Sequence, residues 1–261
     1  MTEARDDDLE KALFFELYES LDRQGPGDRA STARALACCS ELPASPTIVD
    51  LGCGTGAQTL DLAELSPGTL LALDRHEPSV EKLQRRIEAA GLGDRVTALV
   101  GEMGATELAE ESLDLVWSEG ALYNLGLARG LATCKALLRQ GGYLAFTEPV
   151  WRSADPPPKV RAAFEADYPG IGDLPAALAA IESSGFELIE HFPLPPEAWW
   201  EAFYAPMEKR IEALQAQYAG DPKRLAVLEE LAEEPRAHRE HGHTYGYEFF
   251  ILRKTSGQGA G

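Results

Sequence analysis

The sequence predicts an α/β fold: an open, mostly parallel β-sheet with helices on both faces. Three observations carry this. Short apolar runs alternate with helical stripes from Thr47 to Phe146, the rhythm of strand-to-helix crossovers. The stretch T-I-V-D-L-G-C-G-T-G (47–56) runs an apolar strand into three glycines at alternate positions, Gly52, Gly54 and Gly56. A second apolar run ends in an acid, Asp74, 22 residues after Gly52. Backbone without side chains lets a small polar or anionic cofactor lie against amides at the start of the next helix, whose positive dipole end faces it. The arrangement is Rossmann-like and defines a nucleotide-type cofactor site.

Each element has its own signal. Leu9, Leu13, Leu17 and Leu21, with Phe14 and Tyr18, repeat at helical spacing behind the acidic stretch Asp6 to Asp8, and the helix stops at R-Q-G-P-G (23–27). A second helix is expected from an N-cap at Asp28 to about Glu41, ended by Pro43 and Pro46. The first strand is 47–51, followed by a helix carrying Leu60, Ala63 and Leu65, then the second strand, 70–74. Pro78 opens a helix with the stripe Val80, Leu83 and Ile87, closed by Gly91. Strands follow at 96–100 and 113–117, then a helix with Leu127, Leu131, Cys134 and Leu138, and Gly141-Gly142 turns the chain into the fifth strand, 143–146. Pro156 to Pro158 break the chain before a short helix at 160–164 and a crossover helix at 175–184. The sixth strand is 186–191 and the last is 247–252, with helices at 199–218 and 224–234 between them.

These boundaries give a single domain over 1–254, with 1–46 as an N-terminal helical lid, 193–244 as a helical cap insert, and 255–261 as a disordered tail. Lys and Arg number 24 against 43 Asp and Glu, a net charge of −19 spread over many helices. Binding a polyanion needs a concentrated basic surface, so neither nucleic acid nor an anionic membrane is an expected partner. No apolar run reaches the length of a membrane span, and the start M-T-E-A-R-D-D-D lacks a secretory pattern, so the expected location is cytoplasmic, as monomer or homodimer. Cys38, Cys39, Cys53 and Cys134 form no C-x-x-C pair and read as free thiols in a reducing compartment.

The glycines leave two cofactor classes open. Gly52, Gly54 and Ala57 satisfy G-x-G-x-x-A, and Asp74 could bind a ribose, so a nicotinamide-dependent oxidoreductase fits on glycines alone. Asp50 and Gly56 separate the two. An acid beneath a ring of amides suits a cofactor with an amino-acid end, whose ammonium it can position directly or through water; beside a pyrophosphate it would be repulsive.

On Asp50, Gly52, Gly54 and Gly56, the chain resembles motif I of class I S-adenosylmethionine-dependent methyltransferases. The resemblance covers about 47–192 and 245–253. It implies a seven-stranded sheet in the order 3-2-1-4-5-7-6 with the last strand antiparallel, and S-adenosylmethionine as cofactor. Asp74 would then hold the ribose hydroxyls, Arg75 the adenine edge, Glu102 the adenine amino group and Met103 the ring, with Cys53 a small residue packed between the glycines. R-Q-G-P-G together with W-S-E-G-A-L-Y-N-L-G (117–126) resembles a bacterial subgroup of small-molecule methyltransferases near the quinone-biosynthesis branch. The Asn/Asp-Pro-Pro-aromatic motif of DNA and protein amine methyltransferases is missing, since Ser118-Glu119-Gly120-Ala121 stands there.

The expected chemistry is methyl transfer to a small-molecule acceptor by in-line displacement, where alignment comes first and a base is needed only if the nucleophile holds its proton. Glu119 is the candidate base, with alternatives as a sulfonium-stabilising or helix-capping carboxylate, and Tyr123 stands beside it as a candidate catalytic group. Ser118 is expected at the cofactor, Asn124 at the acceptor. The lid is expected to bring Tyr18, Gln24 and Gly25 to the cofactor, with Gly25 and Gly27 as a hinge or close approach. In the cap, Trp200 and Tyr204 share a helical face at i, i+4 while Trp199 points elsewhere, so that pair and Trp151 are candidate acceptor contacts. His238, His241 and His243 are expected to be a solvated or capping cluster, with no metal bound. A non-catalytic, cofactor-binding regulatory module is the other competing class.

Overall fold

A computed structural model describes residues 3–255, with side chains from Asp8 onward; most of the predicted tail, 256–261, lies outside the described residues. Two helices come first, α1 (Glu3–Tyr18) and α2 (Arg29–Cys38). Asp28 caps α2, accepting the Ser31 amide at 2.6 Å, but α2 ends at Cys38 rather than near Glu41. The sheet then begins: β1 (Thr47–Leu51), α3 (Ala57–Leu65), β2 (Thr69–Asp74), α4 (Glu77–Ala89), β3 (Val96–Val100), β4 (Leu113–Ser118), a 3-10 turn (Leu122–Leu125), α5 (Leu127–Leu137) and β5 (Leu138–Trp151). After α6 (Pro158–Asp167) come a two-residue strand, β6 (Gly172–Asp173), then α7 (Leu174–Ser184) and β7 (Phe186–Pro193). The chain leaves the sheet for α8 (Pro196–Trp199), a π-helical turn (Trp200–Tyr204), α9 (Ala205–Gln217), α10 (Pro222–Leu231) and α11 (Glu233–His241), and returns as β8 (Tyr245–Lys254).

The strands lie in the order β3-β2-β1-β4-β5-β8-β7, parallel from β3 to β5, with β8 antiparallel to both β5 and β7. This is the predicted seven-stranded topology; the short β6, which the sequence did not signal, pairs with the end of β5. Alternation along the strands divides the core. Ile48, Leu70, Leu115, Trp117 and Phe249 pack on one face with α1, α2 and the helices after β7. Val49, Leu51, Val116, Phe146 and Phe250 pack on the other with α5 and α7. Burial of both faces is why the strands read as continuous apolar runs.

Two expectations about β5 change. Leu138, expected to close a helical stripe, already pairs with Leu113 as strand, and pairing resumes at Leu115 with Tyr143. The intervening irregularity carries Gly141-Gly142, where Gly141 has φ +79° and a Cβ on Gly142 would lie 3.0 Å from the Arg139 carbonyl. The glycines thus form a bulge inside one fourteen-residue strand rather than a helix-to-strand turn.

Candidate functional site

The carboxyl ends of β1, β2 and β4 open into a cleft of about 260 Å³. Its floor is the glycine loop. A Cβ on Gly52 would collide with the Ala121 methyl group, and a Cβ on Gly54 would lie 2.5 Å from Gln24 Oε1, so both positions require glycine for close approach. Gly56 has a different task from the one expected: its missing side chain makes room for Leu83 of α4, and it stays outside the cleft. Asp74 faces the cleft with each oxygen fixed by a backbone amide, Gly54 N to Oδ2 at 2.9 Å and His76 N to Oδ1 at 2.8 Å. That leaves lone pairs in a set orientation. Leu73, Met103 and Leu125 supply apolar wall, Arg75 and Glu102 are exposed at its rim, and Cys53 and Asn124 line it too.

Asp50 lies beneath this floor, fully buried. Thr59 Oγ1 donates to its Oδ2 at 2.6 Å, while Oδ1 has no hydrogen-bond partner, since the nearby Gln58 amide goes to the Cys53 carbonyl at 3.2 Å. Burial raises the Asp50 pKa to about 7, against the favourable Thr59 bond and a weaker pull from the nearby Gln58 amide, with Glu119 and Asp74 adding negative charge. Burial also pushes the Cys53 thiol well above its ordinary value, so it is no thiolate nucleophile.

The segment after α1 is pinned over the cleft. Lys82 donates to the carbonyls of Glu19, Ser20 and Leu21, and Arg86 to those of Asp22 and Thr55. Gln24 accepts the Thr55 amide at 3.2 Å and donates to the Tyr18 carbonyl at 3.0 Å. Gln24 and Gly25 therefore line the cleft, whereas Tyr18 does not: its hydroxyl donates to Glu234 at 2.9 Å and its ring stacks on Phe14. Arg23, which the sequence did not single out, bridges Glu119 Oε2 at 2.8 Å and Asp61 at 3.4 Å while buried. A Cβ on Gly27 would meet both Arg23 Nη1 and Glu119 Oε2, which explains that glycine.

Glu119 lines the cleft as expected, and these contacts occupy its carboxylate. Besides Arg23, it accepts Thr32 Oγ1 and Trp117 Nε1, each at 2.9 Å, on Oε1. A buried carboxylate held by a guanidinium and two further donors is a clamp for the N-terminal segment, with its lone pairs already engaged. Ser118, also expected at the cofactor, is buried and donates to the Leu51 carbonyl at 2.8 Å, tying β4 to β1. Tyr123 stands outside the cleft, its hydroxyl paired with that of Tyr247 and its ring 5.5 Å from that of Tyr168.

The expected acceptor contacts are also rearranged. Trp151 lies against Phe164 and beneath Arg161, outside the cleft. The turn at 200–204 is π-helical, with Ala205 N bonded to Trp200 O, so residues five apart share a face. Trp199 and Tyr204 therefore stack at 6.2 Å in the core, while Trp200 keeps its expected contact with Tyr204 at 6.1 Å and carries Arg239 over its ring. His238 is no solvated residue: it stacks on Trp199 at 4.7 Å, meets Tyr245 Oη at 3.1 Å, and burial lowers its pKa to about 4. Among the described residues no group of three or more His, Cys, Asp or Glu is arranged to hold a metal ion. Sequence reasoning missed Arg23, Thr32 and Gln58 because each reads as an ordinary polar residue until Glu119 or the glycine loop is placed beside it.

Residues 48–142 match the family described as Methyltransferase domain. A dimethylglycine N-methyltransferase of Parasynechococcus marenigrum is 33% identical over 110 residues, 42% of this chain and 39% of that protein. The chain spans well under half the length of the curated relatives it first matches. Among solved structures, S-adenosylmethionine-dependent methyltransferases of Thiobacillus denitrificans (TM-score 0.78, 22% identity) and Geobacter sulfurreducens (0.79, 21%), both in complex with S-adenosyl-L-homocysteine, superpose over 92% of this chain and 97% of theirs. At that identity they show a shared fold. Over residues 48–142 the chain is thus similar to a methyltransferase domain, and its fold is shared with these S-adenosylmethionine-dependent enzymes.

Proposed function

We propose that the protein transfers a methyl group from S-adenosylmethionine to a small-molecule acceptor by in-line displacement. The observation that carries this is the orphaned Asp50 Oδ1 beneath a glycine floor whose far side is set by Asp74. A buried, unsatisfied carboxylate oxygen is costly, and the ammonium of an amino-acid end, reached directly or through water, is the partner that would relieve it. The other donors fit as well: Asp74 has oriented lone pairs for two ribose hydroxyls, and Leu73, Met103 and Leu125 form an apolar slot for a purine. When bound, the cofactor supplies a methyl group already activated on a sulfonium. The chain's task is then to align the acceptor and exclude water, with the segment 19–27 as lid and 194–244 as cap.

With Glu119 engaged by Arg23, Thr32 and Trp117, this reading needs no carboxylate base at that position. The subgroup near quinone biosynthesis belongs to the proposal, resting on R-Q-G-P-G and the 117–126 segment. So do a cytoplasmic location and a monomeric or dimeric state; among the described residues no helix is long and apolar enough to cross a membrane.

Calorimetry tests the reading. S-adenosylhomocysteine should bind in the micromolar range, about −8 kcal/mol. Asp74→Ala should weaken that binding by roughly 1.5–3 kcal/mol with the fold intact. Tight NAD(H) binding with none of the homocysteine compound would make the protein a nicotinamide enzyme instead. Cofactor binding without methylation of any member of a broad metabolite panel would make it a regulatory module.

A further inference from the structure

Six elements bring polar and aromatic side chains together at the carboxyl edge of the sheet, beside the cleft. Tyr18 ends α1, Tyr123 lies in the 3-10 turn, Asp167 ends α6, Tyr204 closes the π turn, Glu234 opens α11 and Tyr247 comes from β8. Glu234 is at the centre, accepting Tyr18 Oη at 2.9 Å on Oε2 and Tyr204 Oη at 3.1 Å on Oε1. Each oxygen keeps a lone pair. Among the described residues no lysine or arginine compensates this carboxylate; the charged group that acts on it is Asp167, of the same sign.

Glu234 is exposed by surface area, yet protein atoms surround it densely enough that desolvation raises its pKa. The two together fit a group facing a re-entrant chamber, and their combination does not describe a side chain on the outer surface. Aromatic rings cluster beside it. Tyr123 and Tyr247 stand 6.5 Å apart, while Tyr18 and Tyr204 flank Phe203 at 6.2 and 4.8 Å. The chamber adjoins the cleft at Gly120, which lines the cleft and whose missing side chain leaves the Tyr247 ring 3.6 Å from where a Cβ would stand.

An uncompensated carboxylate among aromatic faces lacks one thing, a cation, and the faces of tyrosine rings attract alkylated ammonium groups that fill such space better than a small hydrated ion. We infer that this chamber binds the positively charged, alkylated ammonium end of the acceptor. The word acceptor rests on the methyl-transfer reading; the binding of the cation does not.

The test uses the full chain and two probes of one shape, choline and its uncharged carbon analogue 3,3-dimethyl-1-butanol, titrated with and without saturating S-adenosylhomocysteine. Choline should bind at least about tenfold more tightly than the alcohol. Glu234→Gln should remove that preference while leaving S-adenosylhomocysteine affinity unchanged. Equal affinity for the two probes, or a preference for the alcohol, overturns the inference, and this comparison on the unmutated protein decides even if the variant does not fold. A preference that survives in a folded Glu234→Gln variant overturns it too. Failure of S-adenosylhomocysteine to bind would sink the methyl-transfer reading alone, because the probe comparison is read separately.

Discussion

On the proposed function, Asp50 is the residue on which cofactor binding and stability pull in opposite directions. In the unfolded chain it loses its proton near the ordinary carboxylate value; in the fold it does so only at about 7. Between those values the folded state holds a proton that the unfolded state has released, so this group lowers stability as pH rises through the window, and the loss stays fully in place above it. Asp50→Asn, which keeps an acceptor for Thr59, should therefore stabilise the protein by roughly 1–3 kcal/mol at pH 8 and change little at pH 4. Urea unfolding at the two pH values checks this, and the same variant should bind S-adenosylhomocysteine more weakly. Equal effects at both pH values would mean that the carboxylate ionises normally in its pocket. The position was legible in the sequence because motif spacing identifies it; its unpartnered Oδ1 was not, because that depends on where the Gln58 amide goes.

At the scale of the element, the chain between β7 and β8 shows how one local irregularity reassigns a whole face. Regular helical spacing pairs Trp200 with Tyr204, a contact the fold keeps at 6.1 Å, but the π turn adds a residue to the period and brings Trp199 against Tyr204 as well. α11 then docks through His238, stacked on Trp199 and with its pKa lowered by burial to about 4. The folded state excludes the proton that an unfolded histidine takes up near its ordinary value. Stability from this contact is thus fully present above about 6.5 and is lost as pH falls from there toward 4. Tryptophan fluorescence should report a falling melting temperature over that window, and His238→Phe, which keeps a flat ring without a titrating nitrogen, should flatten the slope. An unchanged slope in the variant would place the acid sensitivity in other groups.

For the whole molecule, the cleft draws on β1, β2 and β4, the segment after α1, and the start of the turn after β4, so a cofactor touching all of them couples parts far apart in sequence. Binding to the folded state alone stabilises it by mass action, about 2.7 kcal/mol at a ligand concentration one hundred times Kd. For a chain of this size that should raise the melting temperature by roughly 5–11 °C with S-adenosylhomocysteine, and by nothing with NAD. Hydrogen exchange should slow in residues 19–27 at the same time, since Gln24 and Gly25 line the cleft. A melting temperature indifferent to the homocysteine compound at millimolar concentration would contradict the cofactor assignment.

What the sequence determined by itself was whatever a local pattern encodes. Apolar runs fixed the strands, helical stripes the crossovers, and the spacing of Asp50, Gly52, Gly54 and Asp74 the cofactor loop, because these signals lie within one strand, turn and helix. The strand order followed from resemblance and is realised in the fold. The partners of each side chain were decided only by tertiary structure. Glu119 became the anchor of Arg23 because residues 96 apart in sequence meet across the cleft. Tyr18, expected at the cofactor, pairs instead with Glu234, 216 residues away. A carboxylate's role depends on which donors reach its lone pairs, and nothing within a few residues of it specifies donors brought by distant elements.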